Sequence, residues 1–377
     1  MRCFVKLVFI MLICCILSGC SENKYPDVAP FENAVLVGEM ELLYAEQFGV
    51  DFYENGISLV SIADGGKYLL VPEGVTAKGV SEDITVISTP CENIYLAASS
   101  AMDSFFGIGA DGNIFATSTL ERDWSLPEVR AAMENEDILY AGKYSAPDYE
   151  LILSEGCDIA IESTMIYHKP EVMEQLERLG IPVLTERSSY EAHPLGRLEW
   201  IKLWGLLTGR SEEAERIFDN QSALLDSVIQ NGETGKRAAF FYISSNGSAV
   251  VRKPGDYVSK MIELGGGEYI FTPEDMNVEE SAMSTMNMQF EAFYSKAADA
   301  DVIIYNSAID GGIADIDGLL DKNSLFEGFK AVKSGDVWCT DKNMFQRTTG
   351  AADVIYELNR IFSGTADDEM EYFYRLK

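Results

Sequence analysis

The spacing of apolar and polar positions changes several times along this chain, and each change predicts a different kind of element. Residues 7–17, LVFIMLICCIL, are an unbroken apolar run of eleven, where a membrane-crossing helix needs about twenty. Residues 31–90 then alternate in short runs such as DFYENGISLVSIADGGKYLLVP, with Asn55-Gly56 and Gly65-Gly66 as turn signals. This pattern predicts an antiparallel β layer. From residue 94 the rhythm becomes strand then helix. IYLA, NIFATS, ILYAG, CDIAIES and IPVLTERS read as strands. SSAMDSFFGIG, PEVRAAMENED, DYELILSEG and KPEVMEQLERLG read as the helices between them, with Val172, Leu176 and Leu179 on one face of the last. Strands separated by helices of about ten residues imply βαβ units and a parallel sheet.

The alternation stops at residue 195. LGRLEWIKLWGLLTG and SEEAERIFDNQSALLDSVIQN are helical almost throughout, with Thr208-Gly209 the one break. It resumes after residue 231. RAAFFYIS and SAVVRK read as strands joined at Asn246-Gly247. DYVSKMIELGGG and NMQFEAFYSKAADA read as helices, DVIIYNS as a strand, SLFEGFKAVKSG as a helix and DVWCTDK as a strand. A last helix runs from about Ala351 to Phe362. The expected fold is therefore α/β: two lobes with parallel-rich sheets, bridged by a long rigid α-helix, with an N-terminal β-rich extension on the first lobe. The divisions are 1–19, 20–30, 31–93, 94–194, 195–231 and 232–377.

The first segment is an address. Arg2 and Lys6 precede the short apolar run, as in a secretory signal peptide. Leu17-Ser18-Gly19-Cys20 resembles a bacterial lipobox. That resemblance implies acylation of Cys20, cleavage just before it, and an extracytoplasmic protein held to the membrane by its lipid. The alternative is a plain secretory peptide with a chance cysteine. Residues 20–30 are polar with two prolines and suit a tether.

Charge narrows the function. The chain carries 61 Asp and Glu against 29 Lys and Arg, for a net −32, and loss of Arg2 and Lys6 makes it −34. Such a surface repels nucleic acid and anionic lipid headgroups. With only His168 and His193, a three-histidine zinc site cannot form. Beyond the signal and Cys20 only Cys91, Cys157 and Cys339 remain; they read as buried thiols, with room for one disulfide at most.

The halves share an echo. Tyr149-Glu150-Leu151 opens a helix leading to Asp158-Ile159-Ala160-Ile161, and Phe290-Glu291-Ala292 opens one leading to Asp301-Val302-Ile303-Ile304. Read alone, both glutamates complement a helix dipole. Seven further stretches, IYLAASSAMD, LILSEGCDIAI, LERLGIPVL, SYEAHPLGRLEWIKLWGLLTG, MIELGGGEYIF, ADADVIIYN and FKAVKSGDVW, occur in an order that resembles the substrate-binding lipoproteins of ABC importers for iron complexes and corrinoids. The resemblance covers most of 94–362 and leaves the β-rich extension outside it. It implies two lobes bridged by one helix, a monomer working with an ABC permease and its ATPase, and one acidic residue per lobe docking on permease arginines. By local match these are Glu150 and Glu291.

Ligands of α/β sheets bind beyond the carboxyl ends of the strands. In the first lobe this singles out Ser99, Ser100 and Met102, then Lys143 and Tyr144, then Thr164, Met165, Tyr167 and His168, then Arg187, Ser188 and Tyr190. In the second lobe it singles out Ser245, Asn246 and Arg252, then Asn306, then Phe345, Gln346 and Arg347. Tyr144 and Tyr167 could stack on a ligand or only pack. His168 could ligate iron or stay solvated, and His193 reads as structural. Arg252 and Arg347 would offset an anionic ligand or pair with nearby acids. The expected ligand is a ferric siderophore-like complex, with corrinoid or haem as alternatives, and no intrinsic cofactor, metal site or catalytic residue. A surface hydrolase is the rival of another class, but neither a G-x-S-x-G elbow nor an H-E-x-x-H motif is present. A structural lipoprotein is the third reading.

Overall fold

The computed structural model describes residues 29–276, 284–309, 311–367 and 370–377. The signal segment, Cys20 and most of the tether lie outside these residues. No helix among the described residues is long and apolar enough to cross a membrane.

The extension forms a five-stranded sheet of β1 (Leu36–Glu39), β2 (Phe48–Tyr53), β3 (Ser58–Ile62), β4 (Lys67–Pro72) and β5 (Thr85–Thr89), paired in that order. Both expected turns form, with Asn55 and Gly56 at φ 64° and 75° and Gly65 at φ 100°. The layer is not wholly antiparallel as expected. β5 pairs parallel to β4, because the chain between them crosses over through residues 73–84 instead of turning tightly.

The first lobe is a parallel sheet of β6 (Ile94–Leu96), β7 (Ile114–Thr117), β8 (Leu139–Tyr140), β11 (Ile159–Ser163) and β12 (Val183–Glu186), in the order β12-β11-β6-β7-β8. A small hairpin, β9 (Gly142–Lys143) and β10 (Ala146–Pro147), interrupts the run. The second lobe holds β13 (Lys236–Ile243), β14 (Ala249–Arg252), β15 (Gly267–Tyr269), β16 (Thr285–Met288), β17 (Val302–Tyr305), β18 (Val337–Thr340) and β19 (Phe373–Arg375). β15, β13, β17 and β18 run parallel, while β14, β16 and β19 are antiparallel additions. Central strands such as β17 and β18 are buried at all four positions, which is why they read as continuous apolar runs in a sheet covered on both faces.

The connecting segment consists of three helices, Pro194–Glu199, Ile201–Thr208 and Ser211–Ile229. Gly209, left-handed at φ 71°, ends the second. Gly205 lets the third fold back closely, since a Cβ there would sit 2.8 Å from the Ala214 Cβ. The 19-residue third helix, about 28 Å long, buries Ala214, Phe218, Leu225 and Val228 and packs on the C-terminal helix Ala351–Ser363. Trp200 and Trp204 are fully buried, against Phe48 of the extension and Phe105 of the first lobe.

Two buried carboxylates pin the extension to the connector. Glu199 accepts the backbone N–H groups of Leu43, Tyr44 and Ala45, each at 2.8 Å. Glu191 accepts those of Glu46 and Gln47 together with Trp200 Nε1. Lys202, itself buried, pairs with Glu199 at 3.2 Å. His193 is structural: its ring stacks on Tyr44 at 4.2 Å and its Nδ1 accepts the Leu195 N–H. Cys91, Cys157 and Cys339 form no disulfide with one another, and burial raises the Cys91 and Cys157 thiols to about 12 and about 11.

Candidate ligand cleft

On the first lobe the loops after β6, β11 and β12 share the carboxyl edge of the sheet. Ser100 Oγ donates to Glu186 at 2.8 Å, and the other Glu186 oxygen accepts the Ser188 N–H. Met165, Tyr167 and His168 stand exposed on the short turn after β11. Tyr167 is joined to Arg187, whose Nη1 donates to the phenol oxygen at 2.9 Å, and Arg187 also lies over the Tyr190 ring at 4.5 Å. Tyr144 is half-buried against the lobe's second apolar cluster. Met102 has no exposed surface: it begins a helix on the core side of the sheet, so its sulfur packs and does not face a ligand.

In the second lobe four expected contacts are engaged elsewhere. The Asn246 oxygen accepts from Ser244 Oγ and the Ser248 N–H, which ties it into its own hairpin turn. Asn306 is buried and accepts from Thr340. Gln346 and Arg347 form the seam between the lobes. The Gln346 carbonyl oxygen accepts the Ser125 N–H at 2.6 Å and Ser125 Oγ at 2.7 Å. Arg347 pairs with Glu128 at 3.2 Å and with Glu371 at 2.9 Å. Thr348 and Thr349 continue the seam, onto the Ser100 carbonyl and the Asp103 carboxylate. An arginine between carboxylates has little charge left for an anion, so Arg347 is a strut.

Beside the seam lies a shallow recess, open to solvent, lined by Arg197, Tyr257, Met261, Met344 and Phe345. The connector's first helix supplies Arg197, whose guanidinium lies 3.9 Å from the centroid of the Tyr257 ring. Arg252 approaches from β14, over Tyr257 and Phe345 at 5.6 and 5.5 Å. Arg252 pairs with the buried Asp256 at 3.6 Å. Burial raises the Asp256 carboxyl, and the two arginines oppose that rise. Arg197 has no carboxylate within ion-pair distance among the described residues. Two cations therefore face one acid, in a chain where acids outnumber cations twofold. Arg197 escapes a sequence reading because it sits inside a segment whose pattern is simply helical.

Among the described residues no three His, Cys, Asp or Glu side chains come together as a metal-holding group. The chemistry of the recess is that of guanidinium and aromatic faces, suited to an anionic group attached to a flat or apolar body.

The sequence model of the family described as periplasmic binding protein matches residues 95–344, and the chain belongs to that family. An uncharacterised lipoprotein of Methanocaldococcus jannaschii is 24% identical over 383 residues, covering 90% of this chain and 88% of the relative. The solved ABC transporter substrate-binding protein of Listeria monocytogenes matches with a TM-score of 0.53 at 17% identity, over 72% of this chain and 98% of its own. The periplasmic haem-binding protein HutB of Vibrio cholerae matches with a TM-score of 0.58 at 16% identity, over 73% of this chain and 99% of its own. The shared fold is that of two lobes. The extension, residues 31–93, precedes the matched region.

Proposed function

We propose that this protein captures a negatively charged ferric chelate outside the membrane and delivers it to an ABC permease, forming and breaking no bond itself. Family membership and the lipoprotein relative support the transport role and the extracytoplasmic location. The observation that carries the ligand class is Arg197: a half-buried cation with no carboxylate within ion-pair distance among the described residues, sharing the one acid Asp256 with Arg252 and stacked on an aromatic ring at the wall of a recess. Elsewhere in this acidic chain Arg347, Arg360 and Arg375 are all paired with carboxylates.

Haem or a corrinoid is the second reading. Tyr167 and His168 stand exposed side by side on the first lobe's edge, and both are groups that a haem iron accepts as ligands. The test is a titration panel on the mature protein: a ferric tricatecholate, which is trianionic, a neutral ferric trihydroxamate, haem and a corrinoid. Preference for the trianionic complex supports the proposal. Preference for haem or corrinoid moves the assignment to the second reading, and binding of none overturns both.

A further inference from the structure

The β-rich extension reaches the first lobe's ligand edge at two points, and both act on one arginine. Arg187 Nε and Nη2 donate to the Gln47 side-chain oxygen at 3.2 and 3.1 Å. Its Nη1 donates to the Tyr167 phenol oxygen at 2.9 Å, and that phenol donates to Asp64 at 2.7 Å. The Tyr190 ring supports the guanidinium from one face. Gln47 and Asp64 both belong to the extension. Both are fixed locally: the Gln47 backbone N–H is held by Glu191, and the other Asp64 oxygen accepts the Gly66 N–H in the turn between β3 and β4.

The chemistry of the partner is what matters. A guanidinium fork offers five donors and matches a carboxylate well. Here three donors are occupied by neutral oxygens, an amide and a phenol, and no carboxylate lies within ion-pair distance of Arg187 among the described residues. The arrangement orients the cation without cancelling its charge. Asp64, the nearest acid in this network, is kept one hydroxyl away.

We infer that the extension is part of the ligand site, with Gln47 and Asp64 as positioning residues that hold Arg187 as an uncompensated cation for an anionic ligand group. This rests on the chelate-binding reading above. The extension precedes the region shared with the family, so in this chain the first lobe's selectivity is set by residues that the common fold does not supply.

The test is an isosteric charge change, Gln47→Glu, in the mature protein. It converts the neutral acceptor into an ion-pair partner for Arg187. Affinity for the ferric tricatecholate is expected to fall about tenfold or more, while affinity for the neutral ferric trihydroxamate stays within about twofold and the melting temperature is unchanged. In an Arg187→Gln background the same change should have little further effect, which separates pairing with Arg187 from a general rise in negative charge. Asp64→Ala, at an exposed turn, gives a second variant that tolerates substitution and should weaken tricatecholate binding about threefold. If the wild-type protein binds the tricatecholate and both variants bind it equally well, the inference is overturned while the transport reading stands. Equal losses for both chelates, or full additivity with Arg187→Gln, also overturn it. If the wild type binds neither chelate, the reading beneath it falls and the inference falls with it.

Discussion

Asp158 and Asp301 stand in the same place in the two lobes. Each donates its backbone N–H to the carbonyl of a residue at the start of the neighbouring central strand, Asn93 before β6 and Arg237 in β13, at 2.8 Å in both cases. Each carboxylate accepts the N–H of that same residue in return, at 2.9 Å in both cases. The reciprocal clamp sets the register of the two central strands in each lobe, and each clamp follows a short helix with an exposed glutamate in its first turn. The echo in sequence is thus an echo in structure.

That equivalence gives the first prediction. Glu150 and Glu291 occupy matched positions on the two lobes, as paired docking points for a permease would. The double substitution Glu150→Ala, Glu291→Ala should reduce uptake in cells at least tenfold and leave chelate affinity of the purified protein unchanged. Parallel loss of binding would contradict a docking role.

The seam gives the second. Asp103 is buried on the first lobe and accepts both the N–H and the hydroxyl of Thr349, at 2.8 and 2.6 Å. Asp103→Ala leaves these donors without their acceptor, a cost of about 1–3 kcal/mol. Denaturant unfolding should show that loss, and hydrogen exchange should quicken selectively over residues 346–351. Unchanged exchange there would mean that Asp103 does not hold the lobes together.

Glu162 gives the third. It lies in the middle of β11 with no exposed surface, and neither of its oxygens, nor the neighbouring Tyr95 hydroxyl, has a hydrogen-bond partner. Burial raises its carboxyl to about 8. Between the ordinary glutamate range and about pH 8 the folded protein keeps a proton that the unfolded chain releases, so stability attributable to this group falls as pH rises through that window. Glu162→Gln should remove the loss. At pH 8.5 the variant should be more stable than wild type by on the order of a few kcal/mol, and below about pH 4, under the ordinary glutamate pKa, the two should converge. A stability difference independent of pH would contradict this account.

Arg197 gives the fourth. Arg197→Gln should weaken ferric tricatecholate binding about tenfold and reduce its salt dependence, without shifting the melting temperature. It should affect the neutral trihydroxamate little. Equal effects on both complexes would assign Arg197 to packing against Tyr257.

The sequence made the sheets legible where strands are buried on both faces. Residues 159–161 and Val302–Tyr305 are short apolar runs between helices, as buried strands require. β15, β16 and β19 were not legible, since three or four residues are too few to establish a period. Thr285–Met288 overlaps, at Asn287 and Met288, the helix read in NMQFEAFYSKAADA. It is a strand because β14 offers it an open edge. The glycine at 328 splits what reads as one helix, SLFEGFKAVKSG, into Ser324–Gly328 and Lys330–Ser334, with the Tyr294 hydroxyl packed where a Cβ would stand.

The site was legible only in part, for a different reason. Strand ends locate loops but do not say what lies across from them. Gln346 and Arg347 follow β18 as expected, yet the first lobe reaches them through Ser125 and Glu128. Gln47 and Asp64 are not legible as site residues because their partners, Arg187 and Tyr167, are more than a hundred residues away in the chain. Arg197 is marked only by its ring partner and by the absence of an acid beside it, features that appear once the chain is folded.

The central claim is that this two-lobed protein holds an anionic metal chelate against arginines left unneutralised in an acidic chain. The most direct measurement is a calorimetric titration of the mature protein with a ferric tricatecholate at low and high salt. The account predicts saturable one-to-one binding that weakens as salt rises. Failure to bind at either salt concentration, or binding indifferent to both salt and chelate charge, would contradict it.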